Sequence, residues 1–532
     1  MTQSMNEEPE SRAELILGSA ESLRIFILMS GSLTYGAAGL ANSVISRATI
    51  LSNAGYQVSI LVDVWQRDIN SHVARLRDSG RLSRNVDVRN IHGDLRNGAS
   101  APDGFELCER VTPRVSAYIG DLEPREDSED PCVVRFYSSG RYRYFGYRRN
   151  GDSIDFLDEL VDGKRKRRLF FSPEGLLAKT VEYSSGDAVL EEYFTANGLV
   201  YLRKDLRKNS GISRIKLLNT EGRYLSLRDD SHLLEHWFRT LVDVRATDVV
   251  ISEYAFRFDA LERVKSVSGT PVVYTLHSSH LASPFEVHSP IKSELSHTFS
   301  NAEKMSALVV LTPQQKLDIQ KRIPHLTNVY AIPHAAPSNH HPNVQTPGCR
   351  EPGLVVLVGR LSEFKGQRLA IQQFESVLNR VENARLEIWG RGPDERVLTD
   401  LVHELGLEDR IQMCGFTYDP ASVYRRAEVA LFPSQHEGQC LGVMEAMQEG
   451  AVPVCFDFKY GARMLVEDMV SGIITQRDDM ADMLDSVVVL LQNSKFLTSL
   501  SLKAIDKVSE FSAERLVRDW GQLFSRVQKA DG

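Results

Sequence analysis

A chain of 532 residues is too long for one ordinary hydrophobic core and implies two or three domains. Hydrophobic residues are 42% and charged residues 25%, the balance of a soluble globular protein, and no run approaches the ~20 apolar residues that span a bilayer. A net charge of −8 argues against general nucleic-acid binding, and the scattered cysteines (Cys108, Cys132, Cys349, Cys414, Cys440, Cys455) form no zinc-type cluster.

Residues Thr2 to Glu14, in the first segment 1–22, are polar and acidic and lack the basic start, apolar stretch and cleavage site of a signal peptide. They read as a disordered arm on a cytoplasmic protein. Arg24–Met29 reads as a buried strand, 30–39 as a small-residue loop, Leu40–Asn53 as a helix closed by Gly55, and 58–62 as a second strand. Strand, loop, helix, strand is the unit of a parallel sheet. The pattern pauses and resumes with predicted strands at Asp248–Ser252, 271–276, 307–312 and 329–333.

The texture between these blocks differs. Glycines recur at 140, 151, 163, 175, 186, 198, 211 and 222, mostly in turn sequences, with β-branched and aromatic runs between them. One short strand plus a tight turn consumes such an interval, so 105–230 is predicted to be an antiparallel meander inserted into the first αβ domain. Residues 131–230 hold 19 Lys and Arg against 14 Asp and Glu, a basic excess in an acidic chain. The run Lys164, Arg165, Lys166, Arg167, Arg168 concentrates it. Such a patch suits a polyphosphate acceptor or an anionic membrane surface. A solvated strand edge guarded by cations reads as well.

From about 352 a second βαβ series is predicted, with strands at Leu354–Val358, Arg385–Trp389, 411–414, 429–433 and 453–457, and a last amphipathic helix over 513–529. The divisions are then 1–22 (arm), 23–104 with 231–335 (first Rossmann-like domain), 105–230 (meander) and 336–532 (second Rossmann-like domain with the last helix). Two open αβ domains face a ligand cleft across the carboxyl ends of their strands, and the motifs fall at those ends.

The strongest motif runs from Ser434 to Met447. Glu437 is placed at a strand end and Glu445 inside the following helix, so each carboxylate can accept hydrogen bonds from sugar hydroxyls. The amides of Gly438, Cys440 and Leu441 between them point at any phosphate near the helix start. The second motif, Gly359 to Gly366, carries Arg360 and Lys365 on one loop. Two cations there can neutralise a diphosphate leaving group, and no DxD-like motif offers a magnesium site. Gly36 and Gly39 after the first strand allow close approach of a ligand. His277 and His280 follow the predicted strand 271–276; His277 can bond the donor sugar and His280 the acceptor.

These residues resemble family 4 glycosyltransferases of the GT-B fold: GRLSEFKG at 359–366, WGRGP at 389–393 and SQHEGQCLGVMEAMQEGAVPV at 434–454, with the family's E-x7-E between Glu437 and Glu445. The resemblance implies an α/β GT-B fold with the meander inserted in its N-terminal domain, and retention of anomeric configuration without a metal cofactor. It also implies diphosphate binding by Arg360 and Lys365, sugar contact by Glu437 and ribose contact by Glu445. The run Phe456 to Gly461, with 464–468 and Gly472, narrows it to bacterial enzymes that glycosylate wall teichoic acid or serine-rich adhesins. The expected reaction moves glucose or N-acetylhexosamine from UDP-glucose or UDP-N-acetylglucosamine to a polyol-phosphate polymer. The alternatives are a protein Ser/Thr O-glycosyltransferase and a catalytically silent partner. A homo-oligomer through the meander and peripheral contact with the inner face of the membrane are further expectations; nucleic acid is not a partner. One departure stands out: Gln439-Cys440 occupies the place of the family's Phe-Gly, which puts a side chain where a glycine usually meets phosphate.

Overall fold

The computed structural model describes residues 23–36, 39–101, 114–149, 153–206, 214–242, 248–253, 257–337 and 350–530. The expected arm, 1–22, lies outside them. Three sheets organise the chain. The first has seven parallel strands in the order Val329–Ala331, Ala307–Val310, Val272–Leu276, Asp248–Ser252, Arg24–Met29, Gln57–Val62, Asp87–Asn90. The chain starts in the middle, winds toward one edge and returns beyond the Arg24–Met29 strand to build the other. That reversal leaves a crevice at the carboxyl ends of Arg24–Met29 and Asp248–Ser252. The second αβ sheet repeats the logic: Ile411–Gly415, Arg385–Trp389, Leu354–Val358, Val429–Phe432, Val452–Phe456, Ile473–Thr475. Its crevice lies after Leu354–Val358 and Val429–Phe432, where the two strongest motifs begin.

Central strands in both sheets are apolar on both faces, as helices on either side require. Two edge strands were missed by sequence reasoning for the same physical reason. Asp87–Asn90 is polar and only partly covered, and Ile473–Thr475 is three residues long, so neither presents a buried apolar run.

The inserted sheet has ten antiparallel strands in sequence order, from Glu123–Glu126 to Tyr224–Leu227. Its turns explain the glycine spacing. Ser139-Gly140, Asp162-Gly163 and Ser185-Gly186 have both central residues at positive φ (47° and 77°, 50° and 72°, 52° and 90°). That geometry matches the right-handed twist of the flanking strands. Gly151 and Gly211 lie outside the described residues. The sheet is not a free-standing unit. One part has its own core, with Phe136, Leu157, Leu169 and Phe171. Near its end, Tyr193, Tyr201, Leu202, Ile215 and Leu217 share a core with Trp237, Phe238 and the first αβ sheet.

The last helix, Ala513–Ala530, departs from its sequence-based assignment to the second domain. Leu516, Trp520, Leu523 and Phe524 pack into the core of the first sheet, beside Val44, Ala48 and Ile332. The stripe was legible; the partner was not, because an apolar stripe does not name the surface that covers it. No helix among the described residues is long and apolar enough to cross a membrane.

Candidate functional site

The two crevices face each other across a cavity of about 2040 Å³. Gly36, Gly39, His277, Arg360, Lys365, Glu437, Gly438, Cys440, Leu441 and Glu445 all line it. Residues from four separate segments thus converge on one space.

Close backbone approaches make the convergence possible. Gly366 sits at φ 73°, and a Cβ there would lie 2.4 Å from the Pro433 carbonyl oxygen. Only glycine lets the Lys365 loop rest on the turn that carries Glu437. As a result the Lys365 ammonium donates to the Glu437 carboxylate. Burial alone would lower the Lys365 pKa, but Glu437 outweighs it and holds the ammonium charged. Gly390 and Gly392 act in the same way: a Cβ on either would lie within 2 Å of the carbonyl oxygen of Gly359 (1.8 Å) or Leu361 (1.9 Å). This seats the 390–392 loop on the Arg360 loop. Arg360 itself is exposed to the cavity.

Glu437 is fixed through its backbone, its N–H donating to Lys459 O (2.9 Å) and its carbonyl accepting from Tyr460 N (3.0 Å). The helix Leu441–Gln448 begins one residue after Cys440. Glu445, one turn in, faces the cavity, and burial raises its pKa to about 7, an effect opposed by Arg81. A carboxyl poised near neutrality in a cleft is a hallmark of a ligand-contacting group.

The Gln439-Cys440 pair has a specific structural consequence. Cys440 adopts φ 66°, ψ 77°, a left-handed conformation that favours glycine and that a thiol side chain occupies under strain. Gln439 is buried and turned across the cleft. Its Oε1 accepts from His334 N at 2.7 Å and its Nε2 donates to His334 O at 3.3 Å. It clamps one domain to the other rather than pointing at the cavity centre. Gly438 makes the neighbouring contact, since a Cβ there would lie 2.0 Å from the His277 carbonyl oxygen. Tyr35 stacks near Tyr418 (5.5 Å between centroids). These contacts bridge the two domains across the cleft.

His277 rests on a buried network absent from the sequence reading. Its Nε2 donates to Glu253 Oε2 at 2.5 Å, and the other oxygen of Glu253 accepts from Arg47. Glu253 and Arg47 are almost fully buried, and Arg47 lies over the Trp520 ring of the last helix (5.0 Å). Burial alone would raise the Glu253 pKa; Arg47 and His277 outweigh it, so the carboxylate stays charged. His277 Nδ1 has no hydrogen-bond partner among the described residues. Its ring stacks on His334 (5.4 Å, 9°), whose pKa burial pushes well below the usual imidazole value. Replacing a buried ion pair with apolar residues is often neutral or stabilising, so this one reads as a device for orienting His277. Glu253 was missed because it follows an apolar strand as a lone carboxylate with no motif around it. Arg81 and Arg391 also line the cavity; Arg81 was missed because its loop has no distinctive spacing, and Arg391 stands in the WGRGP run but was given no role.

Two sequence-based candidates fall elsewhere. His280 is 1% exposed, sits between Phe299 and Tyr460, and does not line the cavity. Burial drives its pKa to about 4. The basic run 164–168 is on the meander, away from the cavity lining. Part of its charge is answered within the sheet, where three of its five cations share two carboxylates. Arg165 and Arg168 pair with Asp158 (2.9 and 2.7 Å), and Arg167 pairs with Glu159 (3.1 Å). Only Lys164 and Lys166 of the run lack such a partner among the described residues. Cross-strand neutralisation depends on register, which the sequence alone did not supply.

Residues 347–507 match the glycosyl transferases group 1 family. The chain is 20% identical over 511 residues to the poly(ribitol-phosphate) alpha-N-acetylglucosaminyltransferase of Staphylococcus aureus strain COL, covering 94% of this chain and all of the relative. It is 22% identical to the poly(glycerol-phosphate) alpha-glucosyltransferase of Bacillus subtilis strain 168, over 94% of this chain and 75% of the relative. A crystal structure of a variant of S. aureus TarM, in complex with Fondaparinux, alpha-GlcNAc-glycerol and UDP, superposes with a TM-score of 0.80 at 19% identity. It covers 94% of this chain and 99% of TarM. The fold is GT-B, with the ten-stranded sheet inserted in its N-terminal region.

Proposed function

We propose that this chain is a retaining, metal-independent glycosyltransferase that moves glucose or N-acetylhexosamine from a UDP-sugar to a cell-wall polyol-phosphate polymer. The observation that carries the reading is the meeting of Arg360, Lys365 and Glu437 at one crevice with His277 at the other, in a single cavity between the two domains. The similarity, over 94% of this chain, to two polyol-phosphate glycosyltransferases supports the acceptor class.

Arg360 and Lys365 neutralise the diphosphate as its bond to the anomeric carbon breaks, the work a metal ion does elsewhere. Glu437, fixed by Lys365 and by its backbone bonds, accepts from donor-sugar hydroxyls. His277, oriented by Glu253, packs beside the same sugar. Glu445 accepts from the ribose hydroxyls. The acceptor hydroxyl attacks the anomeric carbon on the face the diphosphate leaves, and its proton passes to a diphosphate oxygen. UDP departs, and configuration is retained without a side-chain nucleophile. Closure by Gly438 and Gln439 keeps water from competing as acceptor. In this reading the protein is cytoplasmic and in peripheral contact with the inner face of the membrane. It assembles through the meander, whose outermost strands Glu123–Glu126 and Tyr224–Leu227 are open edges.

The test is nucleotide release from UDP-, GDP- and ADP-sugars, with and without EDTA, by the wild type and Glu437→Gln. The expected result is release from a UDP-sugar only, unaffected by EDTA and lost in the variant. Release abolished by EDTA, or retained in Glu437→Gln, would contradict the mechanism.

A further inference from the structure

The cavity extends beyond the residues assigned to the donor. Its lining continues to Asn53, at the end of the Leu40–Asn53 helix, and along the last helix as far as Lys529. From Ala513 to Lys529 that helix rises about 24 Å at 1.5 Å per residue. Its buried stripe faces the first sheet. On another face, at helical spacing, stand Arg518, Gln522, Arg526 and Lys529, all lining the cavity.

The charges on this face differ from those on the meander. Arg165, Arg167 and Arg168 are held by Asp158 and Glu159. Arg526 and Lys529 have no carboxylate within ion-pair distance among the described residues. Arg518 pairs only with its neighbour Asp519 (3.1 Å). Arg526 lies over the Tyr330 ring (5.7 Å), which leaves its guanidinium fork available. Glu514 opens this face one turn before Arg518, and beyond it the charged residues of the arm are all cations, which in a protein of net charge −8 select for an anion. Arginine suits bidentate contact with phosphate oxygens, and lysine supplies a point charge. Spacing along a helix suits a ligand whose charges repeat along its length.

We infer that the outward face of the last helix is the track for the acceptor, a phosphodiester-linked polyol chain. Arg526 and Lys529 hold phosphates several repeats away from the hydroxyl that reacts beside His277. The inference rests on the proposed function, and it moves the acceptor from the meander's basic run to this helix.

The test uses the full-length Arg526→Ser/Lys529→Ser double variant, with a synthetic glycerol-phosphate oligomer as acceptor and a saturating UDP-sugar. The KM for the oligomer is expected to rise ~10-fold, with kcat within about twofold and UDP affinity unchanged. Each lost phosphate contact shortens the slope of log KM against log salt by about one, as counterion release requires. Arg526→Lys/Lys529→Arg restores the KM. If the two cations serve only the dipole of the helix C-terminus, the melting temperature falls and the oligomer KM does not move, which overturns the inference. An equal loss of UDP affinity overturns it too. Should the wild type release nucleotide yet fail to glycosylate the oligomer, the acceptor reading falls and this track falls with it. A wild type that glycosylates the oligomer, beside a double variant of unchanged KM, removes the track alone.

Discussion

Gly438→Ala is a perturbation with a size set by the structure. A Cβ at this position would stand 2.0 Å from the His277 carbonyl oxygen, whereas real Cβ contacts essentially never fall below 3.0 Å. The turn carrying Glu437 and the loop carrying His277 must therefore separate by about 1 Å. Neither partner is a flexible side chain, so relief has to come from the domains moving apart. A misplacement of that size costs a reaction on the order of 10²-fold when geometry supplies the rate. The substitution adds no strain of the left-handed kind, because positive φ is not found at Gly438. The expected result is a kcat lowered about 100-fold, with UDP affinity reduced less than tenfold and a melting temperature within a few degrees of wild type. Stopped-time sugar transfer, titration of UDP by calorimetry and thermal unfolding measure the three quantities. Wild-type kcat in Gly438→Ala would refute the claim that contact between this turn and His277 sets the reactive geometry.

Four further outcomes are expected. Glu445 has its pKa raised to about 7 by burial, so UDP affinity should strengthen between pH 6 and 8 as the carboxylate forms, and Glu445→Gln should flatten that profile. The raised value also means that the folded protein holds this proton more tightly than the unfolded chain. Its stabilising effect is present below the unfolded carboxyl pKa and is lost as pH rises through about 7, so the unliganded wild type should lose more stability than Glu445→Gln across that interval. Glu253→Gln keeps the shape of the Arg47–Glu253–His277 network but removes its charge; kcat should fall at least tenfold with little change in KM for the donor, as measured by initial rates. Trp520→Ala removes the ring beneath Arg47 and empties a packed site in the first domain, which should cost about 3–5 kcal/mol in denaturant unfolding.

The sequence carried most of the site and only part of its support. Motifs that need unusual backbone or charge at a strand end left a trace: Gly366, Arg360, Lys365, Glu437 and Glu445 stand in short runs whose spacing reflects one loop or one helix turn. Contacts between distant segments left none. Glu253 meets His277 and Arg47 only because two parallel strands and a helix bring them together, and Gln439 reaches His334 only because the domains close. The meander was legible because its turns repeat, and the last helix because its stripe is periodic. What the helix packs on, and which cations of the basic run are already paired, depend on register and tertiary placement. These gave the main correction, the transfer of the last helix to the first domain's core, and the pairing of three of the five cations in the 164–168 run.

The central claim is sugar transfer with retained configuration to a phosphodiester polyol chain. Proton NMR of the glycosylated glycerol-phosphate oligomer tests it most directly, by reporting the configuration at the new anomeric centre. The account predicts an α-linked product from an α-linked UDP-sugar. A β-linked product, or UDP release with no sugar on the oligomer, would contradict it.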